Sequence, residues 1–434
     1  MTTIAINHIT KIEGHASLEI ETDGNIVKKC NLKAQEGARF FEGIVLGRKY
    51  DEIVEITSRI CGICSVAHTT TCQKAIENAF NIKVTKQTET LRELITIGER
   101  IRSHATHLYF FALPDYLGFE SALAMVPKYK REIEQALRLM KLGNDIVTTI
   151  GGREMHPVTT IVGGFSSIPS QQNMKDLLIR LKRAKDDANA TADLFLSLNY
   201  PKFEKKSEHM SLKQIDGFPL ITGTIISNEL FEMDPKNYDK YIEEYLEDYA
   251  TSKFAVKEGK EYMVGALPRL NNNSKLLTKD AEKLLKKSKI TLPCFNPFMN
   301  NIAQVIELVH WIDTAIQTIE TINLHPEDPI KPVLKPGRGI ACTEAPRGLL
   351  FHDYTFDVNG NVTKANIITP TCQNLRHMEE NIKAYLPTLL GQPEDKVILE
   401  IEKLIRAYDP CFSCSTHFLK VKWKKNKGVC FNGN

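Results

Sequence analysis

The sequence predicts an α+β chain that is mainly helical: a large helical body with small β-sheet elements near both termini. Three observations predict it. Segments with apolar residues at helical spacing fill the middle of the chain. Asp23-Gly24 and Asn359-Gly360 mark hairpin turns between short strand-like runs near the two ends. Between them lies no internal repeat, low-complexity linker or composition break, so residues 1–417 read as a single domain.

In order, Ala16 to Glu21 alternates around Leu18 and Ile20, turns at Asp23-Gly24 and returns through Ile26 to Leu32. Before it, Lys11-Ile12-Glu13-Gly14-His15 places ionisable groups beside an apolar sheet, and Gly14 suggests a close backbone approach. Taken locally, that stretch is as well read as a surface turn. A helix is expected over 38–47, where Glu42 beside Phe40 and Phe41 needs a partner if buried; by itself it reads as a surface salt bridge. Further helices are expected over 66–78, 88–111 (ended by Leu113-Pro114-Asp115), 128–142 (capped by Gly143-Asn144) and 171–198. Residues 205–235 read as strand-rich. Helices follow over 237–260, 278–287 and 300–323. A hairpin over 350–368 and helices over 371–385 and 393–408 complete the chain. His104 and His107 share a helical face, which suits either a metal pair or two packed side chains, the commoner case.

With 42% hydrophobic and 25% charged residues, 434 residues are ample for a buried core. No apolar run is long enough for a transmembrane helix, and the N-terminus lacks the pattern of a cleaved secretory signal. Ten cysteines are too sparse for a disulfide-stapled scaffold and fit reduced thiols and metal ligation in a cytoplasmic chain. The net charge of +3 hides an asymmetry: Phe418 to Asn434 holds five lysines and no acid, leaving the remainder near −2. No nucleic-acid motif accompanies that basic segment, so no nucleic-acid partner is expected.

The chemistry concentrates in two motifs, Arg59-Ile-Cys61-Gly-Ile-Cys64-Ser-Val-Ala-His68 and Asp409-Pro-Cys411-Phe-Ser-Cys414-Ser-Thr-His417. Each presents two thiolates from one short turn, and together they offer four sulfurs to a metal. Three readings stay open on spacing alone: a structural zinc, an iron–sulfur cluster, or a catalytic metal held by soft thiolates. Closure over some 350 residues of a well-filled chain has no need of a structural zinc, which weakens the first.

The two motifs, as a pair and in this order, resemble those of the nickel–iron hydrogenase large subunit. Ile12-Glu13-Gly14-His15, Arg39-Phe40-Phe41-Glu42 and Glu344-Ala-Pro346-Arg347-Gly348 agree with it as well, and the resemblance spans essentially the whole chain. Leu113-Pro-Asp-Tyr, Ile368-Thr-Pro-Thr and Arg406-Ala-Tyr-Asp-Pro-Cys look most like the cytoplasmic, multisubunit NAD(P)-linked and sulfhydrogenase branch. The resemblance implies a nickel–iron hydrogenase large-subunit fold and reversible H2 cleavage, with sulfur or polysulfide reduction alongside it in the sulfhydrogenase branch. It implies a Ni-Fe centre with Fe(CO)(CN)2, in which Cys61 and Cys411 are terminal nickel ligands and Cys64 and Cys414 bridge to iron. Glu13 becomes a proton carrier reaching Cys414, and Arg347, next to Pro346, a guanidinium over the metal pair; without the resemblance Arg347 reads as a buried ion-pair partner of Glu344. Glu42, His417 and the Ile367 carbonyl become ligands of Mg2+, His68 a neighbour of Cys64, and Arg406 and Asp409 a supporting ion pair. His104, His107 and Asp115 fit positions near the core.

The resemblance also implies partners: a small subunit with a proximal [4Fe-4S] cluster, further subunits carrying [4Fe-4S] or [2Fe-2S] clusters and FAD that contact NAD(P), nickel-insertion factors, and a maturation protease that removes 418–434 as a propeptide. A deazaflavin- or heterodisulfide-reductase-type electron partner is the alternative within the family. A structural zinc or iron–sulfur scaffold is the alternative outside it.

Overall fold

The computed structural model describes residues 2–37, 39–215 and 217–416. His417 and the basic segment 418–434 lie outside the described residues. Strands β1 (Thr2–Ile6), β2 (Ala16–Asp23) and β3 (Ile26–Ala34) form an antiparallel sheet in that order, and Gly24 turns the hairpin at φ +58°. Leu18, Ile20 and Leu32 are buried, as their alternation predicts.

Helix α1 (Phe41–Ile44) is a single turn, shorter than the helix expected over 38–47. Arg39 is drawn away from it: its N–H donates to Thr416 O at 2.8 Å and its guanidinium to Ile60 O. Helix α2 (Glu52–Ser58) was not anticipated, whereas α3 (Ser65–Phe80) begins directly after Cys64. Helix α4 (Lys86–Thr106) runs on through a π-helical turn, His107–Ala112, into α5 (Leu113–Leu117), which stops at Gly118. Pro114 therefore does not end the helix; it follows directly on the π-helical turn, where the backbone hydrogen-bond register has already shifted.

Helix α6 (Ala122–Gly151) is twice the length expected and ends at Gly152, φ +84°. Gly143 is no cap. It lets α6 cross α4, for a Cβ there would stand 2.5 Å from Gly98 O and 2.7 Å from Arg102 N. A minimal hairpin of β4 (Thr160–Ile161) and β5 (Gly164–Phe165) leads to α7 (Gln171–Leu196), capped by the Ser170 hydroxyl.

The mid-chain is where sheet content exceeds expectation. Strands β6 (Glu208–Lys213), β7 (Thr224–Ser227) and β8 (Glu232–Met233) bear out the strand-rich reading of 205–235. The helix expected over 237–260 is instead a 3-10 turn, Pro235–Lys240, and an antiparallel pair, β9 (Ile242–Leu246) and β10 (Lys253–Lys257). Every residue of β10 is buried, with Lys253 paired to Glu42 and Glu244 and Lys257 to Glu208, so tertiary pairing overrides local helical preference. Strand β11 (Tyr262–Met263) joins β6 in parallel, giving the sheet order β11-β6-β7-β8.

Helices α8 (Ala266–Asn273), α9 (Lys279–Ser288) and α10 (Asn300–Thr321) follow. Strands β12 (Gly337–Ala345), β13 (Gly348–Phe356) and β14 (Val362–Ile368) form an antiparallel sheet, and α11 (Pro370–Tyr385) and α12 (Glu394–Ala407) close the chain. The main core lies where α4 packs on α6 and α10, and α7 on both of those. Helix α3 lies on β12 and β13 so closely that a Cβ on Gly339 would meet Ala75 O at 1.9 Å. A small separate core of Ile60, Ala67, Ala345, Leu350 and Ile367 encloses the four motif cysteines.

Gly143→Ala is expected to cost about 2 kcal/mol, because backbone on α4 must move to admit the methyl. Gly37→Ala, where an added Cβ meets nothing within 4 Å, is expected to change stability by less than about 0.5 kcal/mol. Chemical denaturation of the two variants checks the difference.

Candidate metal centre

The first cysteine turn is built at the start of α3 and held by α4. Glu99 accepts from the N–H groups of Val66 (2.6 Å) and Ala67 (3.0 Å), the otherwise orphaned donors of the α3 N-terminus. Burial pushes the Glu99 carboxyl up to about 7 against the opposing charge of Arg102. Arg102, one turn on, donates to Ile63 O at 2.6 Å. The peptide that carries Cys64 is thus gripped on both sides by one helix.

The second turn is held by the segment before β2. Glu13 pairs backbone to backbone with Cys411, and its carbonyl accepts from Phe412 N at 2.9 Å. Its Oε2 accepts from Ser413 N (3.2 Å) and from Cys411 Sγ (2.9 Å). The thiol touching Glu13 is therefore Cys411, not Cys414 as expected. Gly14, φ +83°, is the close approach its position suggested, since a Cβ there would lie 2.9 Å from Ser413 N. The neighbouring His15 side chain remains exposed, as a surface turn would have it. Burial and the Cys61 charge raise the Glu13 carboxyl above the usual range, against hydrogen bonds from Cys411 and Ser413.

The two turns meet. Cys61 and Cys411 sulfurs are 3.6 Å apart, Cys64 and Cys414 3.4 Å, and all four lie within 4.8 Å of one another, fully buried. These separations are far beyond the S–S bond of about 2.05 Å. Hydrogen bonds from the Cys411, Cys414 and Cys64 thiols hold Cys61 well below the ordinary thiol range. Burial pushes Cys411 and Cys414 well above it. Several thiolates in one buried space are disfavoured unless a soft polyvalent cation joins them.

Arg347 is the cation beside the sulfurs. It occupies the tip of the β12–β13 hairpin, with Nε donating to Asp409 O at 2.6 Å and Nη2 paired to Asp409 Oδ1 at 2.9 Å. Burial works against its charge, but Asp409, with the Cys411, Cys64 and Cys61 sulfurs beside it, holds it protonated. Its Nη1 is buried with no hydrogen-bond partner among the described residues, a donor left over for an acceptor at the centre. Asp409 takes φ +52° to present both its carbonyl and carboxylate to Arg347. The expected Arg406–Asp409 pair does not form. Arg406 instead pairs with Asp115 at 2.6 Å and Glu402 at 3.0 Å. Nor does Arg347 pair with Glu344, whose carboxylate goes to Arg269.

His68 donates its backbone N–H to Cys64 O at 3.2 Å, while its ring meets His352 at 3.1 Å; burial lowers its pKa to about 4 and keeps it neutral. His104 and His107 are packed side chains, as the commoner reading had it. His104 goes to Glu307, and His107, where the π-turn begins, to Gln304 and the Arg406 carbonyl.

Glu42 is buried, and burial raises its carboxyl above the usual range in spite of Lys253 at 2.8 Å. Ile367 meets it through its N–H at 2.9 Å. Glu42 and Glu244 both pair with the Lys253 ammonium, with Asn366 Oδ1 beside it at 3.0 Å, so the spot is oxygen-rich. That donor set fits a hard divalent cation retaining waters. Glu99, Arg102, Lys253, Arg269 and Glu307 were not singled out from sequence; each is an ordinary charged residue in its helix or strand and acquires meaning only through long-range partners.

Residues 39–141 and 295–417 match the profile of the nickel-dependent hydrogenase family. The alpha chain of sulfhydrogenase 1 from Pyrococcus furiosus is 36% identical, over 96% of this chain and 98% of its own length. A chain of the F420-non-reducing hydrogenase vhc from Methanococcus voltae is 30% identical, over 96% of this chain and 95% of its own length. An NAD+-reducing [NiFe]-hydrogenase in the H2-reduced state superposes with a TM-score of 0.86 at 24% identity, over 96% of this chain and all of that one. With two Cys-x-x-Cys turns closing on one buried set of four sulfurs, and with these relatives matching nearly end to end, the chain belongs to the nickel-dependent hydrogenase family, as a catalytic large subunit with a Ni-Fe centre.

Proposed function

We propose that this chain is the H2-cleaving subunit of a cytoplasmic, multisubunit hydrogenase. Its electrons leave through a small subunit with a proximal [4Fe-4S] cluster to iron–sulfur and FAD-containing subunits that reduce NAD(P). The observation that carries the reading is the buried set of four sulfurs with Arg347 beside it. The 36% identity to a sulfhydrogenase alpha chain supports the branch and, with it, sulfur or polysulfide as a further acceptor.

Cys61, Cys64, Cys411 and Cys414 hold the Ni-Fe centre; the close pairs Cys61–Cys411 and Cys64–Cys414 suit terminal and bridging roles respectively. When bound, the centre, with iron as Fe(CO)(CN)2, supplies the Lewis acidity that polarises H2 for heterolysis. Cys411 Sγ and Glu13 Oε2, 2.9 Å apart, pass the released proton outward, and the raised affinity of Glu13 for a proton suits it to accept one. Arg347 supplies a fixed positive charge, anchored by Asp409, and its spare Nη1 would serve as donor to a cyanide of the bound centre. Pro346 sets the turn that presents it, Arg406 and Asp115 brace the chain behind, and neutral His68 stiffens the first cysteine turn. Glu42 contributes to a Mg2+ site with the Ile367 carbonyl and His417. After nickel-insertion factors have acted, a maturation protease removes 418–434 and leaves His417 as the C-terminus.

The F420-non-reducing relative, 30% identical over 96% of the chain, favours one second reading: a deazaflavin- or heterodisulfide-reductase-type electron partner in place of the NAD(P) reductase. The native complex, assayed under H2, decides. NAD+ or NADP+ reduction supports the main reading, and a complex active with a viologen dye but with neither nucleotide contradicts it.

Glu13→Gln is expected to load nickel normally and lose at least about 100-fold in H2/D+ exchange; normal exchange would remove Glu13 from the proton path. Cys414→Ser is expected to abolish nickel retention, because a neutral hydroxyl cannot replace a soft thiolate. Elemental analysis of the purified variant checks it, with one nickel per chain as the contrary result.

A further inference from the structure

Arg347 has a second, unassigned support, on the far side from Asp409. Its backbone sits in a two-residue hairpin turn, Pro346-Arg347, between Ala345 and Gly348. The turn is buried, so its carbonyls cannot be satisfied by bulk water. One side chain reaches two of them. Arg269, on α8, donates from Nη1 to Ala345 O (3.2 Å) and from Nη2 to Pro346 O (2.9 Å). The same guanidinium holds Glu307 in a fork (Nε 2.6 Å, Nη2 2.8 Å) and Glu344 at 2.9 Å. Arg100 adds a bond to the Glu344 carbonyl. All of these side chains are fully buried.

Arg100 and Arg269 face Glu307, and Arg269 also faces Glu344; Arg269, with His104 beside it, holds Glu307 ionised in spite of its burial, while burial raises the Glu344 carboxyl above the usual range. His104, whose pKa burial lowers to about 4, is neutral and donates Nε2–H to Glu307. The packing is equally tight. A Cβ on Gly348 would meet Gly265 N, at the start of α8, at 2.8 Å, so the hairpin tip and the helix carrying Arg269 move as one piece.

We propose that Arg269 is a positioning residue for H2 cleavage: its fork on the Ala345 and Pro346 carbonyls fixes where the Arg347 guanidinium lies against the four sulfurs. The inference rests on the reading that Arg347 acts at the metal centre. Asp409 holds the guanidinium end of Arg347 and Arg269 holds its backbone end. A lysine at 269 keeps the charge but offers donors from one point, and cannot reach two carbonyls and two carboxylates together.

The test uses the complete native complex carrying Arg269→Lys, Arg347→Lys, or both. Arg269→Lys is expected to keep full nickel and iron occupancy and an unchanged KM for H2, to lose about tenfold in turnover per nickel, and to shift the infrared bands of the iron-bound diatomic ligands. The double variant should be no slower than Arg347→Lys alone, because Arg269 acts only through Arg347. Wild-type turnover and bands in nickel-loaded Arg269→Lys, beside an impaired Arg347→Lys, would overturn this proposal alone. Full turnover in Arg347→Lys would instead overturn the reading of Arg347, and this proposal with it. Should Arg269→Lys fail to load nickel, Glu307→Gln, which leaves Arg269 one acceptor in place of the two-oxygen fork, serves as the second variant. Failure of both to load would assign the cluster to folding and end the proposal.

Discussion

Four thiols in one buried space are an electrostatic problem before they are a metal site. Within 4.8 Å of one another and shielded from water, they resist carrying several negative charges at once unless a cation arrives. The rest of the site can be read as support for that arrangement. Arg347 brings one positive charge, Asp409 neutralises and aims it, and the remaining charge is left for metal. Because two of the sulfurs come from near residue 60 and two from near residue 410, completing the centre and closing the fold are the same event.

The two cysteine turns are held in parallel ways by unrelated parts of the chain. Glu99 receives the N–H groups of Val66 and Ala67, just after Cys64, and the Glu13 carboxylate that of Ser413, while its carbonyl takes that of Phe412. In each case a glutamate satisfies backbone donors that a tight turn would leave orphaned, and so fixes the direction of the sulfurs. They differ in one respect that matters for chemistry. Glu99 spends both oxygens on amides, whereas Glu13 keeps one oxygen on a sulfur. Geometry thus separates the two carboxylates, although burial raises both.

The elements that could be read in advance are those whose cause is local. Hairpins at Asp23-Gly24 and Asn359-Gly360, the amphipathic α7 and the apolar α10 follow from turn chemistry and periodicity. The motif cysteines were also apparent from residue type and spacing, and Glu13 and Arg347 from the family resemblance that their neighbouring residues carry. What could not be read has long-range causes. Residues 237–260 look helical but form strands because Lys253 and Lys257 pair with acids far away in sequence. Gly143 looks like a cap but serves a helix crossing. Asp409 and Arg406 looked like partners and were each claimed by another residue. Arg269 gave no signal at all, because a hairpin tip 77 residues away is what gives it meaning.

The central claim is that two distant turns assemble one Ni-Fe centre on four cysteine sulfurs. Infrared spectroscopy of the natively purified complex, before and after exposure to H2, tests it most directly, because carbon monoxide and cyanide on iron absorb where protein does not. The account predicts bands from one carbon monoxide and two cyanides that move when H2 is admitted, in a protein with one nickel and one iron per chain. A protein with one tightly bound zinc, no nickel and no such bands would contradict it.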